Sequence, residues 1–327
     1  MPAMPAALPD FVEPLGAGIF TIDTGYYRPR YDAAYLLVHD GRAAFIDTGT
    51  NHAVPRLLAA LAALGLARDA VDYVIPTHVH LDHAGGAGLL MRELPAATMV
   101  VHPRGARHMI DPTALYEAAL AVYGAAEMER TYGTLVAVDE ARVQLSHDGM
   151  DLRLGGDRVL HFIDTPGHAR HHHCVWDATT RGWFSGDTFG SSYREFDHPV
   201  HGAWILPNTV PSQFEPVALR ASVQRLLSFD PACIYVTHYG RIGDVRRLAG
   251  RVLVLLDAMV ALGQRCSGSA DRHAVLKREL AALYAASLAD HGVAPTPATL
   301  ALLAMDVELN AQGMGLWLDR ERQETPT

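Results

Sequence analysis

Cysteine is scarce in this chain: Cys174, Cys233 and Cys266 are the only three in 327 residues, odd in number and far apart. That excludes a disulfide framework and a Cys-x-x-Cys metal site, and it fits a reducing compartment. Charge is thin as well, at 19% of residues, with a formal net of −9 and no Lys/Arg-rich run. A nucleic-acid backbone is a poor partner for such a chain. Long apolar runs are missing too. The most apolar windows, Val252 to Leu262 and Ala298 to Met305, are short and interrupted, so no membrane-spanning helix is expected. Met1 to Asp10 is rich in Ala and Pro, with neither a basic start nor an apolar core, so no signal peptide is expected. Together these absences predict a soluble, cytoplasmic protein whose partner is a small molecule rather than a nucleic acid or a membrane.

What is present is a core-forming composition, 49% hydrophobic, arranged in alternating strand and helix patterns. Gly18 to Asp23, Ala34 to His39 and Ala43 to Ile46 read as strands, with Asp40-Gly41 as a turn. A helix is expected from Ala53 to Gly65, with Leu57, Leu58, Leu61 and Leu64 at helical spacing, and a strand at Val71 to Ile75. Gly85 to Leu94 reads as helix, and Thr98 to His102 as strand. Asp111 to Tyr132, rich in Ala, Met and Tyr, reads as a helix packed beside the sheet. A second strand-rich half follows in 142–145, 151–154, 159–163, 174–176 and 182–185. Pro211 to Ser228 then reads as a helix and Ala232 to Val236 as a strand. The alternation indicates a layered α/β architecture. After Gly240, three segments, Asp244 to Gln264, Asp271 to His291 and Pro297 to Leu318, look helical and contain no strand candidate. We therefore expect an α/β domain over 1–242 and a helical extension over 243–327. The extension's apolar faces need a partner: they pack on the same core, line a pocket or form a homodimer contact.

Thr77-His78-Val79-His80-Leu81-Asp82-His83 follows the strand Val71 to Ile75 and places three imidazoles and a carboxylate within six residues. Neutral imidazole and ionised carboxylate are what zinc and similar divalent ions accept. Three later strand ends add ligands: Asp164-Thr165-Pro166-Gly167-His168, Phe184-Ser185-Gly186-Asp187 and Thr237-His238. The set then holds five His and two Asp. A single tetrahedral zinc needs about four ligands, so seven point to two metal ions.

Asp47-Thr48-Gly49, the His78/His80/Asp82/His83 cluster, Thr165-Pro166-Gly167-His168, Gly186-Asp187 and Thr237-His238 resemble, in order, the five motifs of the metallo-β-lactamase-fold hydrolases. The resemblance runs from about Gly16 to Arg241. It implies a four-layer αββα sandwich carrying a C-terminal helical extension. It also implies that His78, His80 and His168 bind one ion, that Asp82, His83 and His238 bind the second, and that Asp187 bridges both. Zinc is the first expectation, with iron or manganese as alternatives. Asp47 and His172 would support ligands by hydrogen bonding, while His171 and His173 would be structural or pocket-rim residues. A metal-bridging hydroxide would attack a carbonyl carbon, and Asp82 or Asp187 would relay a proton to the leaving group.

Departures narrow the branch. A bridging carboxylate at Asp187 resembles the glyoxalase-II, lactonase, thioesterase and RNA-processing branches rather than true β-lactamases. His80 stands where flavodiiron proteins carry Glu. Gly190 stands where lactonases of this fold often place Tyr, with Tyr193 and Tyr239 as substitutes or packing residues. No glutathione-carboxylate clamp is recognisable. The expected activity is hydrolysis of a thioester or ester of a small, partly apolar substrate. A lactonase, an iron-dependent sulfur dioxygenase and a non-catalytic signalling protein are the alternatives, with a phosphodiesterase disfavoured by charge. The segment Phe196 to Pro211, with His198, His201 and Trp204, reads as a loop at the pocket mouth or a surface crossing.

Overall fold

The computed structural model describes residues 7–209 and 213–324, which form two compact units. Of these residues, the first unit comprises 7–164, 171–186 and 232–241, and the second comprises 165–170, 187–209, 213–231 and 242–324.

Two sheets build the first unit. Strands β1 (Val12–Gly16), β2 (Ile19–Asp23), β3 (Ala33–His39), β4 (Arg42–Ile46), β5 (Val71–Ile75), β6 (Thr98–Val101) and β7 (Val143–Leu145) lie side by side in chain order. Pairing is antiparallel from β1 to β4 and parallel from β4 to β7. The second sheet runs β8 (Asp151–Leu154), β9 (Arg158–Asp164), β10 (His173–Asp177), β11 (Gly182–Gly186), β12 (Cys233–Val236) and β13 (Gly240–Ile242). Asp40 and Gly41 take φ of 47° and 73° between β3 and β4, the left-handed pair that a two-residue hairpin of matching twist requires.

Strand alternation sorts side chains into two cores. Ile22, Ala34, Leu36, Phe45 and Val74 face helices α1 (Val54–Ala63), α3 (Ala87–Glu93) and α4 (Pro103–Ile110), burying Leu57, Leu61, Leu90 and Met109. Ile19, Tyr35, Leu37, Ala44, Ile46 and Ile75 face the second sheet and meet Leu160, Phe162, Val175, Phe184 and Tyr235. Helix α2 (Leu81–Ala84) is a single turn within the His-rich segment.

Most expected elements occur within a residue or two of their predicted bounds. Three differences have physical causes. Strand β1 was not expected because Pro14 interrupts its pattern; it forms because it is an edge strand, where a missing N–H is tolerated. Helix α4 was not expected either. Pro103 opens it, and the His102 side chain accepts from the Arg104 N–H, so its start is set by capping rather than by periodicity. The stretch 111–132 is two helices, α5 (Thr113–Tyr123) and α6 (Ala125–Thr131), split at Gly124, whose φ is 79°.

The second unit is mainly helical: α7 (Pro216–Leu227), α8 (Val245–Cys266), α9 (Arg272–Asp290), α10 (Pro297–Ala301) and α11 (Ala304–Glu324). The expected helix over 297–318 is thus broken after Ala301, and the expected start at Pro211 lies outside the described residues. Phe214, Leu219, Leu256, Trp317 and Leu318 form an apolar cluster among these helices. Asn310 ties the loop before α7 to them. It accepts from the Thr209 N–H at 2.6 Å and donates to the Tyr284 hydroxyl at 2.7 Å. No helix of the described residues is long and apolar enough to cross a membrane.

Candidate metal centre

Within the first unit, the C-terminal ends of β4, β5 and β12 deliver polar residues to one place. Asp47 follows β4 with φ of 54°, a left-handed conformation that Asp tolerates better than most residues. Its buried carboxylate collects donors from the ends of β5 and β12 and from α2. Oδ1 accepts from the Thr77 N–H at 2.7 Å and from the Thr77 hydroxyl at 3.0 Å. Oδ2 accepts from His83 Nδ1 at 2.9 Å and from the Thr237 hydroxyl at 2.7 Å.

The carboxylate can only accept here, so the His83 proton sits on Nδ1 and the Nε2 lone pair is left to act as a ligand. His238 is set the same way: its Nδ1 donates to the Tyr31 carbonyl at 3.0 Å. Asp82 completes this group. Its Oδ2 lies 3.9 Å from His83 Nε2 and 3.5 Å from His238 Nε2, and the donor atoms of all three residues fall within 4.8 Å of one another. Ligands held about 2.1 Å from a tetrahedral ion lie about 3.4 Å apart, so this donor set fits a divalent metal. His78 Nε2 and His80 Nδ1 approach to 2.7 Å, and the His78 ring centroid is 4.0 Å from that of His83.

His172 stacks on His78 at 4.8 Å between centroids. Gly186, with φ of 46°, leaves the space for this: a Cβ there would come within 2.5 Å of Thr77 Oγ1 and 2.6 Å of His172 Nε2. His171 lies edge-on to His80 at 5.3 Å. His173 points elsewhere, with Nδ1 2.8 Å from the Ser146 hydroxyl; burial, with His102 next, pulls its pKa down to about 3.

In the second unit His168 and Asp187 come together, with Nε2 and Oδ2 3.3 Å apart. His168 Nδ1 donates to the Asn208 carbonyl at 3.2 Å, which again puts the lone pair on Nε2, where it could serve a metal. Gly167 precedes it at φ of 131°, with its carbonyl accepting from the Glu215 N–H at 2.7 Å; a Cβ there would meet the Leu219 backbone nitrogen at 2.2 Å. Tyr193 is buried and donates to Asp306 at 2.7 Å, while Tyr239 belongs to the core between the sheets. Trp204 is buried with its indole N–H 3.0 Å from the Ser287 hydroxyl, and His198 and His201 stack at 4.7 Å.

Several contributors were not read from the sequence. Thr77 and Thr237 bind the Asp47 carboxylate, and Tyr31 and Asn208 supply carbonyls that orient imidazoles. Beside them, Asp32 is buried and accepts from the Thr24 hydroxyl at 2.6 Å. Burial pushes its carboxyl up to about 7, against the pull of His238 and His83. Tyr26, Tyr27 and Tyr31, three tyrosines in six residues, were the available signal. Tyr26 and Tyr31 rings lie 5.9 Å apart, and Tyr31 lies 5.4 Å from His238. Burial, with the Asp82 carboxylate second, raises the Tyr26 phenol well above its ordinary value.

A family model described as the metallo-beta-lactamase superfamily matches residues 27–238, a span that includes His78, His80, Asp82, His83, His168, Asp187 and His238. The chain belongs to that superfamily. Its members are generally metal-dependent hydrolases, and the His/Asp groups described above are of the kind that hold divalent metal. The metallo-beta-lactamase fold-containing protein ST1585 of Sulfurisphaera tokodaii is 26% identical over 229 residues, 68% of this chain and 78% of the relative. Its crystal structure superposes with a TM-score of 0.59, covering 75% of this chain and 87% of that one, at 23% identity. The metallo-beta-lactamase family protein TTHA1429 of Thermus thermophilus matches with a TM-score of 0.64 over 94% of this chain and 95% of its own, at 21% identity. The MIM-2 metallo-beta-lactamase matches with a TM-score of 0.52 over 75% and 88%, at 20% identity. These likenesses support the mixed α/β fold with two sheets and C-terminal helices.

Proposed function

We propose that this superfamily member is a dinuclear metal-dependent hydrolase that cleaves a thioester or ester of a small, partly apolar substrate. The observation that carries the reading is the fixed orientation of three imidazoles. His83, His238 and His168 each donate Nδ1 to an acceptor, so each offers Nε2. In the family's pattern His78, His80 and His168 would hold one ion and Asp82, His83 and His238 the other, with Asp187 as a shared ligand. When bound, such ions would lower the pKa of a bound water to near neutrality and polarise a carbonyl oxygen.

The chain's own residues have distinct tasks in this reading. Asp47 holds the His83 tautomer and ties together the strand ends that carry His78 to His83 and His238. Asp82, whose side chain is one-quarter exposed, is placed to receive and pass on a proton at the leaving group, most easily a thiolate or alkoxide. Asp187 is the other candidate for that step. No Ser or Cys nucleophile is needed, and all three cysteines are buried.

The test is elemental analysis of the purified protein beside a panel of thioester, lactone and phosphodiester substrates. About two divalent ions per chain and preferential thioester or ester turnover are expected. His80→Ala should lose metal and turnover together; a folded, metal-poor His80→Ala protein with full turnover sinks the reading. Oxygen consumption with a persulfide substrate would assign the site to the dioxygenase class instead.

A further inference from the structure

We infer that the helical arm formed by α5 and α6, with Tyr26, is the wall that receives an apolar acyl chain of the substrate. This inference rests on the ester-hydrolysing role proposed above. Helix α5 has one charged residue, Glu117, among its 11, and its composition is that of a core helix. Yet its described side chains are not buried: Leu115, Tyr116, Ala119 and Leu120 remain half-buried, and Ala114, Glu117, Ala118 and Ala121 are exposed. Apolar residues around a helix call for a surrounding apolar phase, and no helix of the described residues is suited to a bilayer.

The half-buried face leads to one place. Leu115, Tyr116, Ala119, Leu120 and Tyr26 pack on a small cluster made by Leu81, Met128 and Tyr132. Leu81 stands between His80 and Asp82, at the start of α2, so the apolar cluster is built into the segment that carries the ligands. At its polar margin the Tyr26 and Tyr132 hydroxyls lie 3.0 Å apart. A surface that is apolar along its length and begins one residue from two ligands suits a substrate whose carbonyl sits at the metals and whose hydrocarbon tail runs outward. Continuity with the ligand segment favours this occupant over a second protein.

The metal-loaded protein is tested with p-nitrophenyl acetate, butyrate, hexanoate and octanoate, and octanoate binding is measured by calorimetry. Each added methylene buried on the wall should raise kcat/KM by up to about fourfold. The double variant Leu115→Ser/Leu120→Ser, on a half-buried surface, should flatten that chain-length slope. It should lower octanoyl kcat/KM and octanoate affinity by about tenfold or more. Ala119→Trp, which crowds the same face without removing apolar area, should penalise octanoyl more than acetyl substrates. Ester turnover with the same chain-length slope in all three proteins overturns the wall and leaves the hydrolase reading standing. Octanoate binding that depends on the arm, in a protein that hydrolyses no ester, upholds the wall and overturns that reading. A dimer that dissociates in the double variant, with the chain-length slope unchanged, makes the arm a contact between copies and overturns the inference.

Discussion

Replacing Asp47 with asparagine removes one charge from the centre of the candidate site while keeping its size and its tolerance of the left-handed backbone at φ 54°. In the wild type, Oδ2 receives the His83 Nδ1 proton and the Thr237 hydroxyl proton. An amide nitrogen in that position faces two donors and can accept from neither. Bonds to a charged group are worth roughly 1.5–3 kcal/mol each, so two lost bonds put about 3–6 kcal/mol at stake. The Thr237 hydroxyl can turn and accept instead, which recovers about 1 kcal/mol. His83 can recover its bond only by moving its proton to Nε2, and that removes the lone pair offered to metal. The expected outcome is a stability loss of roughly 2–5 kcal/mol and a 10- to 100-fold loss of metal affinity. Scanning calorimetry of metal-free protein reads the first, and competition with a calibrated chelator reads the second. At about 2–4 °C per kcal/mol, the melting temperature should fall by at least about 4 °C. Metal affinity within twofold of wild type, together with an unchanged melting temperature, would refute the idea that this carboxylate sets the His83 tautomer.

Two further outcomes follow from buried groups outside the ligand set. His173 is buried with a pKa pulled down to about 3, against about 6.5 in an unfolded chain. The unfolded state therefore binds more protons below about pH 6.5, and stability should fall as pH drops from there towards 3, by up to about 1.4 kcal/mol per pH unit. Urea midpoints across that range should show a shallower acid slope for His173→Asn than for wild type; parallel slopes would show that this imidazole does not contribute. Arg158 and Asp177 form a two-pronged pair at 2.7 and 3.1 Å with side chains 1% and 0% exposed. Asp177→Ala leaves a buried guanidinium uncompensated and should cost about 3–5 kcal/mol by urea denaturation. It sits at the end of the β9–β10 hairpin away from His173, so kcat of the folded fraction should be unchanged.

The candidate donor residues could be named because each stands in a short local pattern at the end of an apolar run, where spacing alone carries information. What oriented them was not. Thr237 reaches Asp47 across 190 positions, and the Tyr31 carbonyl reaches His238 across 207. A backbone carbonyl leaves no mark on residue identity, and a threonine before a histidine has many ordinary reasons to be there. The strands were legible wherever alternation was clean and failed at β1, where Pro14 sits in an edge strand, and at β13, which is three residues long. The reading of 111–132 as an ordinary packing helix rested on its Ala-, Met- and Tyr-rich composition. Composition does not say whether such a face is covered, and α5 lacks a buried side chain among those described.

Asp47 also has a consequence for how the chain matures during synthesis. Its carboxylate is a junction between β4 and β5 of the first sheet and β12 of the second, and the last of its donors, Thr237, emerges long after the others. A nascent chain that has produced only the first sheet already displays His78 to His83, but it has neither His238 nor the hydroxyl that completes the junction. Completion of the donor group around Asp47 is thereby deferred until both sheets have met.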